Sequence, residues 1–192
     1  MKKEYMSNAK IRQSALLPLR KRNREAGRVA ESIMGKQAKT NAVRILDSNK
    51  ISYELLNYEC DEFLEGVKIA SRLGQSLEET FKTLVTRGKS GEYFVFVVPV
   101  SDELDLKAAA KAVGEKAVEM IHVKDINKIT GYIRGGCSPI GMKKQFKTVI
   151  DSSAQKFEKI MFSGGRLGTQ IKMSPTDLAE LIGAEFEAIV MK

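Results

Sequence analysis

Eleven residues, Gly131-Tyr-Ile-Arg-Gly-Gly-Cys-Ser-Pro-Ile-Gly141, hold four glycines and one proline among apolar neighbours. Glycine serves where the backbone must reach positive φ or let another molecule come close. Pro139 fixes φ and removes a donor. Such a loop offers backbone N–H groups, which hold a phosphate or a developing oxyanion without an acid or base. A tight turn between two strands is the competing reading of the same residues. Two other segments favour the chemical one: a second glycine cluster, Ser163-Gly-Gly-Arg-Leu-Gly168, and the pair Lys82-Thr83. Lys82 is the one charge in the strand-like run Phe81-Lys-Thr-Leu-Val85. Alternation places Lys82 and Leu84 on one face, with Phe81, Thr83 and Val85 on the other. A strand lysine often only lays its stem on the sheet, but a compact ammonium also suits a phosphate as a point charge.

Residue usage narrows the chemistry further. The single histidine, His122, sits away from the glycine loops and reads as a structural or surface residue. The two cysteines, Cys60 and Cys137, make no disulfide framework and point to a reducing, cytoplasmic compartment. No Cys or His cluster has metal-ligand spacing, so no metal or cofactor is expected. No run of eighteen apolar residues is present, which excludes a membrane-spanning helix and a membrane partner of that kind. Cys137 beside a glycine loop is a candidate nucleophile only if a base and an electropositive setting accompany it. A small buried thiol is the favoured reading.

The net charge of +8 is unevenly placed. Residues 1–39 hold eleven Lys/Arg and three Asp/Glu, whereas residues 40–192 hold twenty-one of each. All the excess charge lies in residues 1–39, that is, in an N-terminal arm, residues 1–38, and the first residue of the domain from 39 to 192; residues 40–192 are neutral. The arm reads as a basic amphipathic helix around Arg20 to Met34, a solvated tail, or a nucleic-acid-binding extension. Its Arg-rich, acid-poor composition is also that of a transit peptide. The start at Met34-Gly-Lys-Gln-Ala-Lys-Thr-Asn offers a further reading, an arm added by choice of start site.

These candidates need elements to position them. Thr40 is a plausible N-cap for a helix with Ala42, Val43, Ile45 and Leu46 on one face. Ile51 to Tyr58 reads as a strand, and Glu62 to Leu73 as a helix stopped by Gly74. Ser76 to Glu79 has capping-box spacing, but only a short turn fits before Phe81. Lys82 to Thr86 and Tyr93 to Val98 flank Gly88-Lys-Ser-Gly91, a hairpin signature. Leu106 to Val113 and Val123 to Ile129 read as helices. Lys147 to Ile150, Lys159 to Phe162, Thr169 to Lys172 and Phe186 to Val190 read as strands. Ser174-Pro175 starts a helix that Gly183 ends. Six or seven strands with irregularly interspersed helices predict an α/β (α+β) domain with a mixed sheet.

The order of Thr40–Leu46, Phe81–Val85, Leu104–Lys107, Thr130–Gly141 and Ser163–Gly168 resembles the YbaK/EbsC family, aminoacyl-tRNA deacylases related to the editing domain of prolyl-tRNA synthetase. The resemblance spans about Lys39 to Val190. It implies a partly barrel-like mixed sheet surrounded by helices. It also implies a catalytic role for Lys82, with Thr83 beside it. The lysine would contact a phosphate or sugar oxygen at the tRNA 3′ end, or polarise the ester carbonyl. By resemblance, Gly135 acts in catalysis, and Gly136, Ser138 and Pro139 lie against the aminoacyl group. Ser163, Gly164, Gly165 and Arg166 form a second wall, and Tyr58 and Phe63 supply aromatics near the pocket. Two departures stand out. Relatives carry an apolar residue at Cys137, and a carboxylate where this chain has Gln170.

An aminoacyl ester is already activated, so an arrangement without triad or metal agrees with substrate-assisted cleavage. The expected substrate is a mischarged small amino acid, cysteine first, on tRNA(Pro), with prolyl-tRNA synthetase as the partner that presents the tRNA. Binding separates apolar side chains of similar size by only about 1–3 kcal/mol per methylene, which is why a second, hydrolytic site is needed. Alternatives are an alanyl- or other aminoacyl-tRNA deacylase, a non-catalytic tRNA-binding module led by the arm, and a thiol hydrolase using Cys137 with His122.

Overall fold

The computed structural model describes residues 38–60 and 63–191, and the readings of the arm lie outside them. The compact unit that holds the predicted elements runs from Lys39 onward. Five α-helices and eight strands are formed among the described residues.

Local signals account for most elements. Thr40 caps α1 (Asn41–Ser48), its hydroxyl accepting from Val43 N, and the predicted face buries Ala42, Val43 and Leu46. The helix after β1 (Glu54–Asn57) is shorter than the sequence reading: α2 spans Gly66–Leu73 and ends on Gly74 at φ +65°. The hairpin forms as expected, β2 (Phe81–Gly88) against β3 (Tyr93–Pro99). Asp105 caps α3 (Leu106–Val113) by accepting from Lys107 N and Ala108 N. A three-residue strand, β4 (Val118–Met120), pairs with the end of β2 and was not anticipated. A 3-10 turn (Val123–Asp125) leads into α4 (Ile126–Thr130) and the first glycine loop. Then come β5 (Lys147–Asp151), β6 (Ile160–Ser163) and β7 (Thr169–Met173). Helix α5 (Pro175–Ile182) begins on Ser174 and stops at Gly183, as Pro at the first position and Gly past the end predict. The last strand, β8 (Glu185–Glu187), is shorter than the predicted Phe186–Val190.

The strands form two sheets where the sequence suggested one. One is antiparallel, β1-β7-β6, and the other is mixed, β4-β2-β3-β5-β8, with β3-β5 and β5-β8 parallel. An isolated parallel bridge, Thr80 to Met161, joins them, and Met161 N donates to Glu79 O at 2.8 Å. Strand β3 is buried on both faces, which explains its unbroken apolar run. Phe94, Phe96 and Val98 pack with Ala109, Ala110 and Val113 of α3. On the other face Val97 joins the main core of α1, β6, β7 and Leu178. Val95 packs with Val85, Tyr132 and Cys137 in a third cluster.

Candidate functional site

The glycine loops are built by the start of α1. The Thr40 hydroxyl that caps the helix also donates to Gly164 O at 2.6 Å, in the second loop. Its neighbour Asn41 donates through Nδ2 to Gly141 O at 2.8 Å, closing the end of the first. Tyr132 braces that loop from inside, its hydroxyl donating to Ile140 O at 2.6 Å. The two loops then press together. A Cβ on Gly136 would lie 3.0 Å from the Arg166 backbone, so a side chain there would push them apart.

Between these loops, β2 and α2 lies a cavity of about 570 Å³. This is the size of a small-ligand site. Tyr58, Phe63, Lys82, Thr83, Gly135, Ser163 and Gln170 all line it, so residues spread over more than a hundred positions meet around one cavity. Gly135 sits at φ +79°, and a Cβ there would come within 2.8 Å of both Leu167 and Phe63. Among the described residues the amides of Gly135 and Cys137 make no backbone hydrogen bond, whereas Gly136 N–H donates to Ile133 O at 3.0 Å. Lys82 Nζ donates to Val100 O at 3.1 Å. Burial holds its pKa below the ordinary lysine value, and the Asp102 and Glu103 carboxylates oppose that shift. The Thr83 hydroxyl is buried in the wall with no hydrogen-bond partner.

Other predicted residues fall elsewhere. Ser138 is fully buried, its Oγ accepting from Ile140 N at 3.3 Å. Pro139 lines a separate hollow with Met142, Phe146 and Leu181. Gly136, Gly164, Gly165 and Arg166 are not among the residues that line the cavity. Gly164 N donates to Thr169 O, and Arg166 Nε donates to Thr169 Oγ1 at 2.9 Å. Cys137 lines the cavity, and burial pushes its thiol up to about 11, against a Thr130 hydrogen bond that lowers it. It is therefore a thiol near neutral pH, short of the thiolate a nucleophile needs. His122 is exposed and precedes the 3-10 turn at its N-cap position, without a capping hydrogen bond from its side chain. Gln170 is 6% exposed and joined to Gln75 by an amide–amide hydrogen bond of 2.8 Å. Among the described residues, no group of three or more His, Cys, Asp or Glu could hold a metal ion, and no helix is long and apolar enough to cross a membrane.

Sequence reasoning missed three charged residues of the lining: Glu65, Glu103 and Arg134. The Arg134 guanidinium lies 4.1 Å above the centre of the Phe63 ring. Only Arg134 carried a signal, its place inside the first glycine loop.

Residues 66–181 match the profile of the aminoacyl-tRNA editing domain. The chain belongs to that family. It is 45% identical to EbsC of Enterococcus faecalis, named as a candidate Cys-tRNA(Pro)/Cys-tRNA(Cys) deacylase, over 81% of this chain and 96% of that one. It is 26% identical to YwhH of Bacillus subtilis, a protein without assigned function, over 58% of this chain and 70% of that one. The fold matches a crystal structure described as a candidate trans-editing enzyme for prolyl-tRNA synthetase. The TM-score is 0.70 at 20% identity, covering 81% of this chain and all of the other. The mixed α/β architecture is thus that of the editing domains.

Proposed function

We propose that this editing-domain protein is a trans-acting deacylase that removes mischarged cysteine from tRNA(Pro), the substrate supplying its own nucleophile. The observation that carries the reading is the make-up of the cavity wall. It combines a partly buried lysine, an unpartnered threonine hydroxyl and glycine backbone with a cysteine kept protonated by burial. That set orients an ester and stabilises an oxyanion, but offers no protein nucleophile in its reactive form. The 45% identity to EbsC supports the choice of cysteine.

In this reading the cysteinyl thiolate attacks its own ester carbonyl. A carbon–sulfur bond forms, the bond to the ribose oxygen breaks, and that oxygen takes up a proton. The products are a cyclic thiolactone, later hydrolysed by water, and free tRNA. Lys82, with the Gly135 amide, bears the negative charge that develops on oxygen. Such preorganised donors supply large terms, and fixing the thiolate near the carbonyl supplies another. Tyr58, Ser163 and Gln170 shape the space around the aminoacyl group. Arg166 and Gly164 hold the lining residue Thr169 by hydrogen bonds.

The test is a deacylation panel of Cys-, Ser-, Ala- and Pro-charged tRNA(Pro), with and without prolyl-tRNA synthetase. Cys-tRNA releases thiolactone or its hydrolysis product, and Ser-tRNA, with its weaker hydroxyl nucleophile, is cleaved far more slowly. Equal rates for Cys and Ser refute the mechanism. Preference for Ala assigns the protein to the alanyl alternative.

A further inference from the structure

We infer that Phe63 and Arg134 form a stacking seat at the cavity mouth for the terminal nucleotide of the tRNA. The ring would take the base and the guanidinium the adjoining phosphate. This rests on the deacylase reading, because it places the RNA that carries the ester. The Arg134 guanidinium carbon lies over the Phe63 ring, 4.1 Å from its centroid, and both residues line the cavity. Among the described residues Arg134 forms no salt bridge. Its N–H edge is available to an anion, and planar guanidinium donors suit phosphate. Phe63 is 38% exposed, so part of its surface is open to a ligand.

Backbone geometry holds the pair in place. Gly135, at φ +79°, lets the ring edge come so close that a Cβ would lie 2.8 Å from Phe63 Cδ2. The Phe63 ring is thus wedged against the first glycine loop. Met120 and Val123, 46% and 53% exposed, continue an apolar rim along the same cavity. A nucleobase fits such a surface because every base has an apolar π-face, and single-stranded RNA is held by stacking on aromatic and arginine planes. The occupant follows from position: a group seated at the mouth of a cavity that holds an aminoacyl ester is the nucleotide bearing that ester. The domain from residue 40 has no excess positive charge. Local contacts of this kind must therefore replace a general attraction to RNA.

The experiment measures binding of a short uncharged single-stranded RNA with the sequence of the tRNA 3′ end, by fluorescence anisotropy, to the full chain. Phe63→Leu and Arg134→Gln should each weaken binding roughly ten- to hundred-fold, the range of single-base stacking. Arg134→Gln should also flatten the slope of log affinity against log salt by about 0.7, the share of one phosphate on a single strand. Phe63→Leu should leave that slope unchanged. An RNA with an abasic terminal nucleotide should bind the wild type as weakly as intact RNA binds Phe63→Leu, and should lose nothing further on that variant. Thermal unfolding of each variant identifies any that fails to fold, and the abasic probe tests the seat on the wild type alone. Undiminished binding by folded variants, or equal binding of abasic and intact RNA, overturns the proposal. If the variants weaken RNA binding as expected but no charged tRNA is deacylated, the seat stands and the catalytic reading falls. If deacylation proceeds while the variants bind normally, the seat falls alone.

Discussion

Replacing Lys82 by methionine should remove catalysis and leave the fold standing. The lysine donates to Val100 O at 3.1 Å, and Val100 is 6% exposed. Losing that donor strands a buried carbonyl, which costs about 1–3 kcal/mol. The change also removes an ammonium that burial disfavours, while the methionine stem keeps much of the packing in β2. The two effects oppose each other, so the net loss should not exceed about 2 kcal/mol, or roughly 4–8 °C in Tm for a domain of this size. The effect on rate is larger. Removing a donor aimed at a developing oxyanion typically costs about 100–1000-fold. Single-turnover deacylation of Cys-tRNA(Pro) at saturating protein, beside a thermal melt, separates the two. A rate within about tenfold of wild type refutes the assignment. The pH profile gives a second check. The rate should rise through the ordinary thiol range near about 8.5 as the substrate ionises, then fall as Lys82 loses its proton. Because burial lowers the Lys82 pKa, the falling limb lies below the ordinary 10.5, and Lys82→Arg should move it upward. Unfolding driven by Lys82 itself would have the opposite sign. A lysine whose pKa is lowered by folding is charged at a cost, so its deprotonation at high pH adds stability.

Three further outcomes are expected. Cys137→Ser should keep most deacylation activity, because the native thiol is pushed up to about 11 and is not the nucleophile; a covalent aminoacyl adduct on Cys137, sought by intact mass, would contradict this. Gly135→Ala should destabilise by about 1–3 kcal/mol, from positive-φ strain and from contacts at 2.8 Å with Leu167 and Phe63, and should slow deacylation as the loop shifts; an unchanged melt and rate would show that the loop tolerates a side chain. Deleting residues 1–33 should leave turnover on saturating substrate nearly unchanged, while any phosphate contact by the arm would appear as a salt slope flattened by about 0.7–0.9 per contact.

Much of this protein was legible in its residue order because the signals were local. The Thr40 cap, the Gly88–Gly91 turn and the Ser174-Pro175 start each depend on a few neighbouring residues, and each formed where those residues require. Lys82 stood out as a charge in an apolar strand, and the glycine loops as backbone needing special conformations. The division of eight strands into two sheets was not legible. It depends on which distant edges meet, as in the bridge from Thr80 to Met161 and the parallel pairing of β3 with β5. The fates of individual loop residues were also decided in three dimensions. Ser138 and Gly136 lie within four positions of Gly135, yet one is sealed in the core and the other has its N–H taken by Ile133. Arg134 gained its place only when α2's leading segment laid Phe63 beneath it. Spacing along a chain determines which residues can share a turn or a face. Which of them meets a substrate depends on packing between segments whose separation in sequence leaves no periodic trace.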